Sequence, residues 1–290
     1  MQYIHGNNLN QKLTSSRKYH DAKSVQLLQE ILVEYEKWKK ENVNLKGPYK
    51  KATADDKKII EKRISSFEQY KKFIDQARYA EAFDSRSNLH SSVLEEFLYY
   101  LFRDLVEQIS KDALIGKSHS FKDIFFMPSS YKAMLKSPQA RVEIKDHDFV
   151  IGTSVLSTFH TKGSSDKQQI NFELPAIAIE CKTYLDKTML EGASNAAEQL
   201  KVRNPNSLHF VVAEWLKLTE NINIKKYKVD QIYILRKQKN TDREFRLLPG
   251  YVKNPVYIDV VEHLYNSVRD HLVADWSGGV RDMLSKGYIY

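Results

Sequence analysis

The stretch IAIECKTYLDK, from Ile177 to Lys187, leads an apolar strand into a pair of opposite charges. Side chains alternate between the two faces of a strand, so Glu180 and Lys182 point to one side and Cys181 to the other. A carboxylate and an ammonium at the end of a buried strand form either an ordinary surface ion pair or part of an active site. In isolation the pattern favours the ion pair, because exposed pairs of this kind are common and weak.

The residues around this stretch predict an α/β (or α+β) fold. Residues 141–156 alternate and are rich in β-branched residues, and residues 170–185 predict a second strand region, which Pro175 interrupts. Downstream, the sequence predicts a helix, two strands and a long amphipathic helix, in the stretches KTMLEGASNAAEQLKVR, SLHFVVAEWL, VDQIYILRK and PVYIDVVEHLYNSVRDHLVADW. Strands that alternate with helices are typical of a mixed central sheet flanked by helices.

The first part of the chain predicts helices. Ser24 to Glu41 and roughly Ala54 to Ala80 carry apolar residues at helical spacing. The break at Gly47-Pro48 between them predicts an antiparallel pair. A third helix, from Asn88 to about Ile109, is strongly apolar, so we expect it to pack into the main core.

Charge is distributed unevenly along the chain. The 290 residues include 45 Lys and Arg against 37 Asp and Glu, a net charge of +8, and residues 1–80 hold 17 of the basic and 10 of the acidic residues. A basic region attracts polyanions such as nucleic acid, although a solvated Lys-rich helical surface is an ordinary alternative. We predict a basic helical region at residues 1–85, which contacts DNA or another subunit, and a core at residues 86–290.

Composition argues against several classes of protein. The sequence has no run of eighteen apolar residues, so we do not expect a membrane span, and its first residues lack the apolar core of a signal peptide. A single cysteine makes neither an internal disulfide nor a thiolate zinc site. These features favour a cytoplasmic location.

Acidic residues upstream extend the pattern of Glu180 and Lys182. Asp148 directly precedes the apolar stretch FVIG, and Asp146 lies two residues before it. Either aspartate is a candidate ligand, and we prefer Asp148 because the strand begins immediately after it. An acid, a strand and loop, and a second strand ending in Glu-Xaa-Lys together resemble the PD-(D/E)XK nuclease superfamily, over roughly residues 85–240.

The resemblance implies a restriction-endonuclease-like core that binds Mg²⁺. It implies that Asp148, Glu180 and Lys182 are catalytic, with the two acids as metal ligands and the lysine orienting water or stabilising phosphoryl charge. The backbone carbonyl of Cys181 is a further metal ligand in this interpretation. Mg²⁺ prefers hard oxygen ligands and keeps several waters, so one or two carboxylates and a phosphate oxygen suffice.

The helices that flank the predicted hairpin carry further candidates. Many superfamily members add one more metal-binding acid from the preceding helix, where Glu95 and Glu96 are neighbours. Neighbouring positions differ by about 100° around a helix, so we expect only one to face the site, and we favour Glu95. The following helix carries Glu198 and Gln199, where superfamily members often place a polar residue. His147 stands in place of the motif's proline, and we expect it to be a spectator.

A more extended resemblance indicates one group within this superfamily. The stretches SNLHSSVLEEFLYYLF, KDHDFVIG, AIAIECKTYLDKTMLEGASNAAEQLK and LHFVVAEW are similar to heterodimeric type II restriction endonucleases of the BbvCI kind. The resemblance implies double-stranded DNA as substrate, a CCTNAGC-like site, and one strand cut by each of two related subunits. It also implies a homologous second chain, in a heterodimer or homodimer, and a cognate methyltransferase in the same system.

Two other functions are compatible with the same residues. One is a repair or recombination nuclease of this fold that recognises DNA structures such as forks and flaps. The other is a non-catalytic DNA-binding partner subunit, against which the retention of all three motif residues argues. Discrete fragments from plasmid DNA would distinguish a restriction enzyme from a repair nuclease.

Overall fold

The described part of the chain is built around a five-stranded mixed sheet. A computed structural model describes residues 3–15, 17–83, 88–239, 248, 250–277 and 280–287. The elements are α1 (Ile4–Leu13), α2 (Ala22–Asn44), α3 (Asp56–Ile74), α4 (Ala77–Ala82), α5 (Ser91–Ile109), β1 (Leu114–Phe126), α6 (Tyr131–Lys136), β2 (Ala140–Phe159), β3 (Gln168–Leu185), α7 (Lys187–Arg203), β4 (Leu208–Leu216), β5 (Gln231–Ile234), α8 (Ile258–Val273) and α9 (Val280–Lys286).

The sheet has the strand order β1-β2-β3-β4-β5. Strand β2 is antiparallel to both β1 and β3, whereas β3, β4 and β5 are parallel to one another, and β1 makes a short parallel contact with β3. Helix α7 makes the crossover between β3 and β4, as parallel pairing requires. Strand β3 is central and is buried on both faces at Ile177, Ala178 and Ile179 because helices cover both sides. The predicted mixed sheet with flanking helices is therefore confirmed.

Strands β2 and β3 separate before either strand ends. They are paired as far as Phe149 and Ile179. Beyond this point β2 pairs with β1 alone, and β3 pairs with β4 alone. The separation opens the sheet at Asp148 and Glu180, and Asp148 lines the cleft that lies there.

A bulge in β2 lies at the same place. Val150 pairs with Gly116 and His147 pairs with Ser118, so β2 contains one residue more than β1 between the two pairs. An extra residue interrupts the strict alternation of side chains along a strand. Side chains on either side of the bulge therefore do not follow the two-residue rule that places alternate residues on one face.

Helices α2 and α3 form an antiparallel pair, as predicted. Trp38 of α2 stacks on Tyr70 of α3, and nearer the end of α2, Glu41 accepts a hydrogen bond from Ser66. Helix α3 ends at Ile74, so the prediction of one helix to Ala80 is wrong in this detail.

The carboxylate of Asp75, the residue after α3, forms ion pairs with side chains from three parts of the chain, namely Lys71, His90 and Lys253.

One hydrophobic cluster joins the first helices to the sheet. It contains buried residues of α1, α2, α3, α5 and α8 together with the face of the sheet that includes Phe149 and Phe210. The predicted boundary between residues 1–85 and 86–290 lies outside the described residues, and the division stays a prediction. Among the described residues, no helix combines the length and apolar character that a membrane span needs.

Strand β3 continues through Pro175, although the sequence predicts an interruption there. Proline cannot donate to the sheet and is tolerated in strands at bulges. The register accommodates it: Ile151 pairs with Ile177 and Gly152 pairs with Pro175, which leaves one extra residue in β3. A Cβ on Gly152 would overlap the carbonyl oxygen of Leu174 and lie 2.9 Å from the Pro175 Cα.

We expect Gly152→Ala to lower the free energy of unfolding by about 1–3 kcal/mol, because backbone atoms must shift to admit the methyl group. The matched control is Gly192→Ala in α7, where an added Cβ meets no atom within 4 Å. That change should raise stability by about 0.5–1 kcal/mol, since alanine favours helix more than glycine. Thermal or urea unfolding measures both variants, and equal effects would contradict the close approach at Gly152.

Candidate active site

Three charged side chains meet where β2 and β3 separate. The Nζ of Lys182 lies 2.7 Å from Asp148 Oδ2 and 2.8 Å from Glu180 Oε2. The side chains of Lys182, Asp148 and Glu180 are 24%, 25% and 12% exposed, respectively. The group is therefore partly shielded from solvent but still reachable from the cleft. The structure thus brings together the three residues that the sequence pattern nominated.

The main chain at Cys181 holds this group in place. Its N–H donates to Asp148 Oδ2 over 2.9 Å, and so replaces a ladder hydrogen bond that β2 no longer supplies. The thiol is buried, and burial followed by the charge of Asp148 raises its pKa well above the ordinary value. The thiol is therefore neutral, and a metal-binding role for the Cys181 carbonyl stays a prediction.

Lys182 and Glu180 carry opposite charges at neutral pH. Burial lowers the pKa of Lys182, but Asp148 and Glu180 more than offset burial, so the pKa lies above its ordinary value. Burial raises the pKa of Glu180, but polar and charged contacts with His147 and Lys182 overcome it, and the pKa of this carboxyl is held well below its usual range. The site therefore presents an ammonium between two carboxylates.

Glu95 faces the same cleft from α5. The cleft is lined by Glu95, Asp148, Lys182 and Lys117, with Lys117 Nζ 3.9 Å from Glu95 Oε2. Burial, together with the charge of Asp148, raises the pKa of Glu95 to about 7. Glu95 Oε2 is buried and has no hydrogen-bond partner among the described residues. This oxygen is therefore available to a ligand.

Glu96 points away from the cleft into the helical region. It accepts hydrogen bonds from the backbone N–H of His5 at 2.8 Å and from the hydroxyls of Tyr35 at 3.0 Å and Tyr100 at 2.6 Å. These hydrogen bonds join α1, α2 and α5, so Glu96 has a structural role. Of the two neighbouring glutamates, the structure therefore leaves Glu95 as the candidate at the site, and its role as a ligand stays a prediction.

The remaining candidates from the sequence lie in different surroundings. Asp146 is exposed and pairs with the His119 ring, outside the cleft. Glu198 and Gln199 of α7 are exposed and do not line the cleft. His147 is buried, with Nδ1 3.5 Å from Glu180 Oε1, and its expected role as a spectator stays a prediction.

His209 on β4 also lies near Glu180, and no sequence pattern predicts this. It is fully buried, and its ring lies 5.5 Å from the His147 ring, centroid to centroid. Burial, followed by the neighbouring His147, lowers the pKa of His209 to about 3. A lone histidine within an apolar strand carries no motif, so only the parallel pairing of β3 with β4 reveals its position.

The donor set of the cleft fits a hard divalent cation. Asp148, Glu180 and Glu95 supply carboxylate oxygens, of which Glu95 Oε2 is buried without a partner. The ammonium of Lys182 sits between two of these carboxylates and neutralises one negative charge of the three. Oxygen-rich sites of this kind suit Mg²⁺ better than softer metals.

Comparison with known proteins gives a family and a fold. The sequence model of the family described as "Bpu10I restriction endonuclease" matches residues 86–289. A solved structure described as "native BbvCI A2B2 tetramer at low resolution" covers 96% of this chain and 100% of that chain, with a TM-score of 0.70 and 19% sequence identity. At this identity the likeness shows the fold alone. A comparison with curated protein sequences found no match.

Without divalent cations, we expect Glu95→Gln to stabilise the protein more at pH 8 than at pH 5. The native Glu95 has a pKa of about 7, against 4.5 for an ordinary glutamate. The folded state therefore binds the proton more tightly, and the free energy of unfolding falls as pH rises through this window. Above pH 7, ionised Glu95 lowers the free energy of unfolding by on the order of 3 kcal/mol. Glutamine does not ionise, so the variant does not lose this stability.

Thermal unfolding in a chelating buffer between pH 5 and pH 8 measures this effect. Glu198→Gln, an exposed glutamate on α7, is the matched control and should leave the pH profile unchanged. Parallel profiles for wild type and Glu95→Gln would show that Glu95 ionises normally.

Proposed function

The chain belongs to the Bpu10I restriction endonuclease family, and from this premise we propose that it is a subunit of a type II enzyme that hydrolyses phosphodiester bonds of double-stranded DNA at a short specific site. The family match bears out the resemblance to restriction endonucleases found in the sequence. The observation that carries the proposal is the contact of Lys182 with both Asp148 and Glu180 at the opening between β2 and β3. A repair nuclease of the same fold is the weaker alternative, because the family is one of restriction enzymes.

We propose that Asp148, Glu180, Glu95 and the Cys181 carbonyl hold Mg²⁺. When bound, the ion would polarise the scissile phosphodiester and lower the pKa of a water molecule. The raised pKa of Glu95, about 7, means that a proton must leave this carboxyl before it can act as a ligand. Cation affinity should therefore increase as the pH rises past neutrality.

Lys182 would act as a positively charged hydrogen-bond donor in this reaction. Its pKa lies above the ordinary value because Asp148 and Glu180 outweigh the effect of burial. An ammonium that keeps its proton is a poor general base, but it can orient the attacking water and stabilise charge on the phosphoryl oxygens. Its two carboxylate contacts fix the ammonium before DNA binds, which limits the reorganisation needed in the transition state.

The DNA would lie along a groove that continues from the cleft. This groove, of about 730 Å³, runs between the first helix and β1, and shares Glu95 and Lys117 with the cleft. Exposed amide and basic side chains line it, including Asn7, Gln11 and Lys18. Such side chains contact both base edges and phosphates, so the groove supplies the chemistry that DNA recognition needs.

A second, homologous chain would pack on the arm formed by β1, α6 and β2. The arm exposes several large apolar side chains, which is unusual for a surface that stays in water: Phe125, Phe126, Met127, Tyr131, Met134, Leu135 and Ile144. The solved structure of similar fold is described as a tetramer. We propose a heterodimer or homodimer in which each subunit cuts one strand, with a cognate methyltransferase protecting the host DNA.

We expect purified chain with Mg²⁺ to nick plasmid DNA at discrete positions and, with its partner subunit, to cut both strands. Asp148→Asn, Glu180→Gln and Lys182→Met should each lower the cleavage rate at least about 100-fold, because each removes charge that acts in the transition state. Asp146→Asn is the matched control and should stay within about twofold of wild type, as an exposed substitution without a role in the site. Gel analysis measures the cleavage rate of each variant, and sequencing of the product ends locates the cut positions. Cleavage only at forks, flaps or ends would reject the restriction function.

A substitution in the groove should weaken DNA binding without abolishing chemistry. We expect Lys18→Ala to reduce the slope of log affinity against log salt by about 1, since one phosphate contact is lost. Lys37→Ala is the matched control: Lys37 pairs with Glu34 on α2 and lies outside the groove. Fluorescence anisotropy with duplex DNA in Ca²⁺ measures both, and identical slopes would place the DNA elsewhere.

A further inference from the structure

A second group of ligand-type side chains lies beside the cleft. His147, Glu180 and His209 each offer a ligand atom, and these atoms lie within 4.8 Å of one another. The three residues come from β2, β3 and β4, so adjacent strands of the rigid sheet hold them together. Strand positions of this kind support a fixed geometry better than loops do.

Three of the four imidazole nitrogens of this group are buried without hydrogen-bond partners among the described residues. His209 is fully buried and His147 is 2% exposed. Within the part of the chain that the structure describes, neither ring nitrogen of His209 has a hydrogen-bond partner, and nor does His147 Nδ1. Its 3.5 Å separation from Glu180 Oε1 is long for a hydrogen bond. Each unsatisfied buried nitrogen costs about 1–3 kcal/mol. An ion at this point would take one nitrogen from each ring, so the unpartnered nitrogens indicate a missing ligand.

We infer that His147, His209 and Glu180 form a binding site for a transition metal ion, with Zn²⁺ as the ion they fit best. Two imidazole nitrogens and one carboxylate oxygen suit Zn²⁺, whereas Mg²⁺ strongly prefers oxygen. Zinc–ligand distances are about 2.0–2.2 Å, so the three ligand atoms would draw closer around the ion. A fourth position would remain for water.

Nearby positive charge does not fill the site. The charges of Lys201 and Lys145 both act on His209. The ammonium of Lys201 on α7 binds Asp230 and the carbonyl of Lys228. Lys182 faces the other carboxylate oxygen of Glu180, Oε2. Among the described residues, no lysine or arginine forms a salt bridge with the Glu180 oxygen that faces His147.

Sharing Glu180 gives the site a consequence for the proposed nuclease. Glu180 Oε2 faces Lys182 in the cleft, while Oε1 faces His147. An ion held by the histidines would draw the carboxylate away from the position that the reaction requires. Zn²⁺ should therefore inhibit Mg²⁺-dependent cleavage. This consequence rests on the proposed function, but zinc binding itself does not.

Zinc binding to the full-length, metal-stripped chain tests the inference directly. In excess Mg²⁺, competition with a chromophoric chelator should show about one Zn²⁺ bound per chain, weakened at least tenfold by His209→Gln or His147→Gln. His160→Ala, an exposed histidine away from the sheet centre, is the matched control and should bind as wild type does. Co²⁺ should give the visible absorption of a four-coordinate site, absent in His209→Gln. Circular dichroism checks that each variant folds.

The outcomes separate this site from the nuclease proposal. Zinc binding that neither histidine substitution weakens, or no binding beyond that of the variants, would overturn the inference. Loss of zinc inhibition in His209→Gln, with Mg²⁺-dependent cutting retained, would support it. A chain that binds zinc through these histidines but never cuts DNA would reject the nuclease function and leave the metal site standing.

Discussion

The site depends on the separation of β2 from β3 at Asp148 and Glu180. Where paired strands part, backbone donors lose their partners and must find others. Here the N–H of Cys181 donates to the Asp148 carboxylate, so a side chain takes the place of the missing strand. The same carboxylate oxygen also binds the Lys182 ammonium. One oxygen therefore satisfies the backbone and orients the lysine, and a change in strand pairing would move the charged group with it.

The helical region takes part in this arrangement through α5. Glu96 accepts hydrogen bonds from the N–H groups of His5 and Gly6, at the first turn of α1, where helix N–H groups have no partner within the helix. Tyr35 and Tyr100 bind its other oxygen, which fixes the rotation of α5 about its axis. Glu95, one position earlier, is thereby turned into the cleft. The first helices lie outside the family match, but they contribute to the position of a candidate ligand.

Local sequence pattern predicted most elements, and the exceptions have physical causes. Periodicity was sufficient for α2, α5, α7 and β4, because each buries a regular face. Sequence pattern does not predict helix α1, because Gly6 and the asparagines of this helix are weak helix formers and contacts with Glu96 stabilise it. Sequence pattern does not predict strand β1 either, because the exposed positions of this strand mix charged and apolar residues. At the site, the charged trio followed from the motif. The histidine pair did not, because it depends on the β2 bulge and on which strand lies beside β3.

Charge in the cleft also explains why protons and cations are coupled there. Three carboxyl groups converge, and Lys182 directly contacts two of them. Glu95 is left with a distant lysine at 3.9 Å and a buried oxygen without a partner among the described residues, so its pKa rises to about 7. A proton is the simplest neutraliser of this third charge, and a divalent cation is the alternative that the proposed reaction uses. Because both compete for the same carboxyl, the protein would hold the site in a protonated form until a cation displaces the proton.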